Sequence, residues 1–243
     1  CSGDIHWGNA LTTYKDKNGG AAFKIHHKGA VNTGYVMDWV YKNFPSPEKV
    51  FVTGCSAGSY GSVMWAARMA NKYPKAKIYQ FGDSGAGVIT KNFIKNSFPQ
   101  WNALPAAPSW IPALDAKKVD LLSKDLGYIY TSVANFYKTQ KFSQYNTVAD
   151  KTQIFYYQFM GGGTSTQWTE EMSKSIDGII KSAPTFRAFM PDGTKHCIIP
   201  YAELYTYSVN GVKLIDWLTD WINDKTVSNQ RCATCVPKNT STP

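Results

Sequence analysis

The sequence predicts an α/β fold in which a mostly parallel sheet is flanked by helices, and three observations predict it. The first is alternation: strand-like apolar runs at residues 49–53, 77–81, 142–149 and 185–189 are separated by longer runs with helical spacing. Strand, helix, strand in this order implies parallel strands, because such strands need a crossover connection rather than a tight turn. The second is the pentapeptide Gly54-Cys55-Ser56-Ala57-Gly58, which sits where an apolar strand passes into a helix. Its small residues permit a sharp turn that lifts the serine hydroxyl clear of the sheet. The third is bulk: 243 residues, 43% of them hydrophobic, with no long low-complexity segment, bury one sizeable core and read as a single domain.

Taken in order, residues 1–29 read as loop, with histidines at His6, His26 and His27 and glycines at Gly19, Gly20 and Gly29. Asp4, His6 and Trp7 in this opening are candidate substrate-lining residues, and no carboxylate stands at metal-ligand spacing from the histidines, so neither a metal nor a cofactor is called for. Residues 30–44 carry Val36, Trp39 and Val40 at helical spacing, and Pro45 stops the run. The strand at 49–53 leads through the pentapeptide into a helix at 57–73, closed by Pro74, and the strand at 77–81 runs into Gly82-Asp83-Ser84-Gly85.

Residues 88–140 begin with loops rich in aromatic residues and proline around Trp101, Trp110 and Pro112, followed by helical patterns at 116–138. A segment in this position commonly forms a cap-like insertion that shapes a pocket; the alternative is a plain helical layer, and periodicity does not separate them. The strand at 142–149 delivers Asp150, helices follow at 152–160 and 168–181, and the strand at 185–189 leads to a loop ending in His196. An amphipathic terminal helix is expected at 212–222. The tail, 225–243, is polar and expected to be loosely ordered beyond Cys235.

The formal charge of +9 and a pI near 9.2 favour an anionic partner through a long-range, salt-screened field. No Lys/Arg-rich run or nucleic-acid motif accompanies that charge, so nucleic acid is not expected; an acidic polysaccharide such as pectin fits, as does a basic protein with solvated lysines. No apolar run reaches the ~18 residues of a membrane span. Of the five cysteines, Cys232 and Cys235 suggest a local disulfide, while Cys55 beside Ser56 and Cys197 beside His196 suggest a bridge if those two neighbours share a site. Cys1 is then left over, and the pattern suggests an oxidising, extracytoplasmic setting, secreted or periplasmic.

Acyl transfer by a serine needs a base to take its proton and a carboxylate to hold that base in one tautomer. In α/β-hydrolases these follow one another as serine, acid and histidine, each at the carboxyl end of a strand. Ser56, Asp150 and His196 occur in that order, and His196 is the only histidine downstream of Ser56. Asp83 also follows a strand and is the alternative acid, and otherwise a candidate substrate-lining residue, with Asp177 and Asp192 in range. The backbone N–H of Ala57 is the expected oxyanion donor.

Several segments together, in chain order, resemble the pectin acetylesterase and Notum family of serine carboxylesterases. They are Cys1-Ser2-Gly3-Asp4-Ile5-His6-Trp7-Gly8-Asn9, His26-His27-Lys28-Gly29, Val52-Thr53-Gly54-Cys55-Ser56-Ala57-Gly58, Gly82-Asp83-Ser84-Gly85 and His196-Cys197. The resemblance implies an α/β-hydrolase-like fold, a Ser-Asp-His triad and no metal. It also favours Asp150 over Asp83, because the family carries its acid in an Asp-x-x-Gln segment and Asp150-Lys151-Thr152-Gln153 is similar. The family places further oxyanion donors on a Gly-Gly-Gly segment upstream of the serine; this sequence has none there, so the expectation is a chain lacking its N-terminal strands and oxyanion loop. The implied substrate is an acetylated polysaccharide such as pectin, with fatty-acyl or polyester substrates, or a non-catalytic carbohydrate-binding role, as alternatives. An acetyl pocket is expected to be small and closed, a lipid or polyester pocket deep and apolar.

Overall fold

The computed structural model describes residues 2–232. The elements run β1 (Ala10–Tyr14), β2 (Phe23–His27), α1 (Gly29–Asn43), β3 (Lys49–Cys55), α2 (Ala57–Lys72), β4 (Lys77–Asp83), α3 (Lys91–Trp101), α4 (Leu126–Phe136), β5 (Lys141–Tyr145), α5 (Lys151–Phe159), α6 (Ser165–Ser182), β6 (Phe186–Met190), β7 (Ser208–Val209), β8 (Val212–Lys213), α7 (Leu214–Ile222) and β9 (Gln230–Arg231). Five strands form one sheet in the order β3-β4-β5-β6-β9, each parallel to its neighbour. The register pairs Cys55 with Asp83, Asp83 with Tyr145 and Tyr145 with Phe189, so the carboxyl ends of β3 to β6 form one edge. Loops leaving such an edge are where parallel sheets assemble ligand sites.

Period-two alternation divides the core into two layers. Ile78, Phe142, Phe186 and Ala188 point to the face covered by α2, α4 and α6, where Met64, Val133, Met172 and Ile176 fill the space. Tyr79, Phe81, Tyr145 and Phe189 point to the other face, against Trp217, Leu218 and Trp221 of α7. All four strand residues of that second face are at most 2% exposed. The expected α/β architecture is therefore present, helices covering both faces of a parallel sheet. Among the described residues no helix is long and apolar enough to cross a membrane.

Four local expectations are corrected. Residues 1–29 are not all loop, since β1 and β2 pair antiparallel from Ala10↔His27 to Tyr14↔Phe23. Both strands lie at the surface with half-exposed faces, so they carry no continuous apolar signal. The helical stretch at 116–138 contracts to α4, preceded by a short 3-10 turn at Leu121–Ser123, because Asp120 and Asp125 accept from the Leu122 and Tyr128 N–H groups and start separate turns. The strand at 142–149 ends at Tyr145. Residues 146–149 leave strand geometry yet stay bonded to the neighbouring chain, Asn146 N–H to Phe189 O, Val148 N–H to Pro191 O and Ala149 N–H to Gly193 O, at 3.1–3.2 Å. Asp150 thus lies beyond the strand as the N-cap of α5. The polar tail contributes β9, an edge strand pairing with β6, while Cys1, Cys235 and the remainder of the tail lie outside the described residues.

Candidate active site

The turn from β3 to α2 holds Ser56 at φ 58°, in the left-handed region that a residue with a Cβ occupies only under strain. Two backbone bonds enforce it: the Ser56 N–H donates to Asp83 O at 2.8 Å and the Ser59 N–H donates to Ser56 O at 2.9 Å. Gly54 is required on geometric grounds, since a Cβ there would collide with the backbone of Gly58, and a Cβ at Gly85 would collide with Ser59. Ala57 opens α2, whose first-turn N–H groups have no acceptor within the helix. Both Ser56 and Ala57 line a cavity of about 500 Å³.

His196 lines the same cavity and its Nδ1–H donates to both oxygens of Asp150, at 3.0 and 2.9 Å. That bond leaves Nε2 as the acceptor of the ring. No hydrogen bond joins Ser56 Oγ to His196; such bonds commonly tighten only when substrate is bound. Asp150 is fully buried, and its remaining acceptor capacity is filled locally: Oδ1 accepts from the Thr152 and Gln153 N–H groups at 3.0 Å each, and Oδ2 accepts from Gln153 Nε2 at 2.9 Å. Gln153 also donates to Asn146 Oδ1 at 3.0 Å and accepts from the Ala86 N–H at 2.9 Å. The Asp-x-x-Gln spacing therefore puts the cap and its orienting amide on one helical turn, tied to the strap that follows β4. Gln153→Ala is expected to lower kcat for ester hydrolysis roughly tenfold with little change in KM. An unchanged kcat would show that Asp150 is held without it.

Four further devices hold the backbone around His196. Thr147 Oγ donates to Lys195 O at 3.0 Å. Asp83 Oδ2 accepts from the Ile198 and Ile199 N–H groups at 2.8 and 2.9 Å, and Ser84 Oγ accepts from the Cys197 N–H at 2.9 Å. Burial pushes the Asp83 carboxyl upward from its ordinary pKa, and the Ile199 and Ile198 N–H groups pull it back. Finally a Cys55–Cys197 disulfide, expected from their two neighbours, ties the end of β3 to the residue after His196 across 142 positions of chain. A His196 ring nitrogen lies within 4.8 Å of both of its sulfurs, but sulfurs joined to each other present no thiolate to a metal. Ser84 and Cys197, like Ser56, have positive φ, so backbone strain gathers at this edge.

The candidate lining residues divide. His6 is exposed and lines the cavity, as does Asp4, although the Asp4 carboxylate is spent internally. It accepts from Ser2 Oγ at 2.7 Å, the His6 N–H at 3.2 Å and the Gly29 N–H at 2.8 Å, pinning the opening loop to the start of α1. Trp7 and Asp83 do not line this cavity: Trp7 is packed against Phe98 in the core, and Asp83 turns towards the 197–199 backbone. The wall is instead Ile5, Val88, Ile89, Phe93, Trp101 and Met160. All six come from segments far from the elbow in sequence, and no local spacing marks them. Tyr60, one turn into α2, is the exception that an elbow motif alone points to, since helix periodicity places it beside Ser56.

Comparison with known proteins adds two findings. A solved structure of the Wnt deacylase Notum from Drosophila shares the fold, with a TM-score of 0.67 and 14% sequence identity, over 96% of this chain and 69% of that one. No protein of curated function matches the sequence. The pectinacetylesterase family model matches residues 1–103, a span that holds the opening loop, Ser56 and Asp83. The chain thus carries the pectinacetylesterase pattern over residues 1–103 on a Notum-like α/β fold, a combination that supports a carboxylic-ester hydrolase.

Proposed function

We propose that the chain is a serine ester hydrolase working through Ser56, His196 and Asp150, with an acyl-enzyme intermediate. The observation that carries this reading is the double contact of His196 Nδ1–H with the buried Asp150 carboxylate, on a cavity that Ser56 also lines. Ser56 Oγ attacks the acyl carbon while its proton passes to His196 Nε2. Asp150 stabilises the imidazolium without taking the proton. The negative charge that builds on the carbonyl oxygen is met by the Ala57 N–H at the start of α2, where the helix dipole adds to the bond. Collapse expels the alcohol, which leaves with the proton from Nε2. A water then attacks the acyl-serine, giving its proton to Nε2, and the carboxylic acid is released as Oγ is reprotonated.

The substrate we favour is an acetyl ester of an acidic polysaccharide such as pectin. The family match and the charge of +9 support it, the charge by concentrating a polyanion near the protein. One observation favours a second reading, a longer acyl chain or a polyester: the cavity is about 500 Å³ and walled by Ile5, Val88, Ile89, Phe93, Trp101 and Met160, far more apolar surface than a methyl group covers. The Cys55–Cys197 disulfide fits an oxidising, extracytoplasmic compartment.

Hydrolysis of p-nitrophenyl esters from acetate to palmitate, with acetate release from acetylated pectin alongside, separates these readings. The expected result is the highest kcat/KM at acetate together with acetate release from the polymer. A maximum at long chains with no release moves the substrate to a lipid or polyester. No hydrolysis at any length, with the fold intact, overturns the esterase reading in favour of a carbohydrate-binding role.

A further inference from the structure

A second cavity, of about 560 Å³, lies along α1 and the C-terminal half of α2. The opening loop passes between the two: Ile5 and His6 line the Ser56 cavity, Trp7 and Asn9 the second. Its centre is Arg68, whose guanidinium carbon stands 5.2 Å from the Trp65 ring centroid and 5.4 Å from that of Trp110. Arg68 donates from one Nη to Ala106 O at 2.8 Å, but its Nε is buried with no partner, and no carboxylate of the described residues forms an ion pair with it. Trp7 is 4% exposed and its Nε1–H is likewise buried without an acceptor.

An unneutralised guanidinium that burial disfavours is costly to keep, and two indole faces offset only part of that cost. What the cavity lacks is an anion. Lys72, with its ammonium 5.1 Å from the Tyr41 centroid, adds a second positive charge to the rim, against one exposed carboxylate, Asp38. The Asn71 side-chain amide offers a paired donor and acceptor of the kind that sugar hydroxyls use. The half-buried rings of Tyr41 and Trp110 suit the C–H face of a pyranose ring.

We propose that this cavity is a second ligand site that takes a carboxylate-bearing sugar, with the uronate carboxylate on Arg68 and Lys72 and the ring against the half-buried Tyr41 and Trp110. A carboxylate on the guanidinium supplies the negative charge that the cavity lacks. Such a site holds an acidic polysaccharide on the enzyme at a place where no chemistry occurs, and so raises the concentration of its neighbouring units near Ser56. The inference does not require the esterase reading, because it concerns binding alone.

The test is calorimetric titration of trigalacturonate into the full chain carrying Ser56→Ala, with maltotriose as the neutral control and inorganic phosphate as the simple anion. Trigalacturonate is expected to bind and maltotriose not to. Arg68→Gln is expected to weaken binding at least about tenfold, and Lys72→Gln to weaken it severalfold. Lys72 is exposed and outside the Ser56 cavity, so Lys72→Gln keeps the fold and supplies the binding readout where Arg68→Gln fails to fold. Binding that is unaffected by Lys72→Gln, binding of maltotriose with equal strength, or displacement by phosphate at comparable concentration each overturns the proposal. Loss of ester hydrolysis in the parent chain leaves this result standing, since it is read in a Ser56→Ala background.

Discussion

Replacement of Ser56 by alanine is expected to lower ester hydrolysis by roughly 10⁴- to 10⁶-fold while the protein folds as before. The large effect follows from the mechanism, in which no second hydroxyl replaces Oγ as the nucleophile. The small structural effect follows from the environment of the residue. The Ser56 side chain makes no hydrogen bond, and its strained φ of 58° is enforced through backbone contacts to Asp83 and Ser59 that alanine retains. Stability is therefore expected to change by less than about 0.5 kcal/mol. Ser56→Gly separates strain from chemistry, because glycine occupies positive φ without penalty: it is expected to be equally inactive yet more stable by about 1 kcal/mol. Thermal unfolding and p-nitrophenyl acetate turnover on the three proteins check both parts. Retained activity in Ser56→Ala removes the nucleophile assignment.

Asp150→Asn is expected to cost about 10⁴-fold in kcat, and Asp83→Asn no more than about tenfold. At position 150 an amide keeps the helix cap, since Oδ1 still accepts from the Thr152 and Gln153 N–H groups. It reverses the bond to His196, however. An amide donating to Nδ1 forces the ring proton onto Nε2, the atom that has to receive the serine proton. At position 83 the exchange is nearly isosteric. One oxygen serves both the Ile198 and Ile199 N–H groups, and burial already works against the charged form of this carboxyl. Asp83→Ala tells a different story, leaving those two N–H groups without an acceptor at roughly 1–3 kcal/mol each, a loss of stability rather than of chemistry. The opposite ranking of the two asparagine variants moves the acid to Asp83 and makes Asp150 a cap alone.

Outside 88–140, where α3 (Lys91–Trp101) occupies a stretch that reads as loop, the sequence by itself determined the alternation of strands and helices from 30 to 222, because each buried strand and amphipathic helix carries its own period in the chain. Ser56 and His196 were legible for a related reason, a local motif in one case and a lone downstream histidine in the other. Between Asp83 and Asp150, chain order left both open and a family resemblance favoured the second. The geometric distinction, Asp150 on the imidazole and Asp83 on the 198–199 backbone, depends on how loops from three strands meet at one edge. Only the tertiary structure decided which aromatics enclose the cavity, for Phe93, Trp101 and Met160 are brought to Ser56 by packing and not by any spacing near it. The β1–β2 hairpin belongs to the same class, since two half-exposed strands take their stability from each other and from α3, contacts that a linear pattern does not contain. Local periodicity writes elements into the sequence because it is a property of neighbours in the chain. A site is a property of neighbours in space.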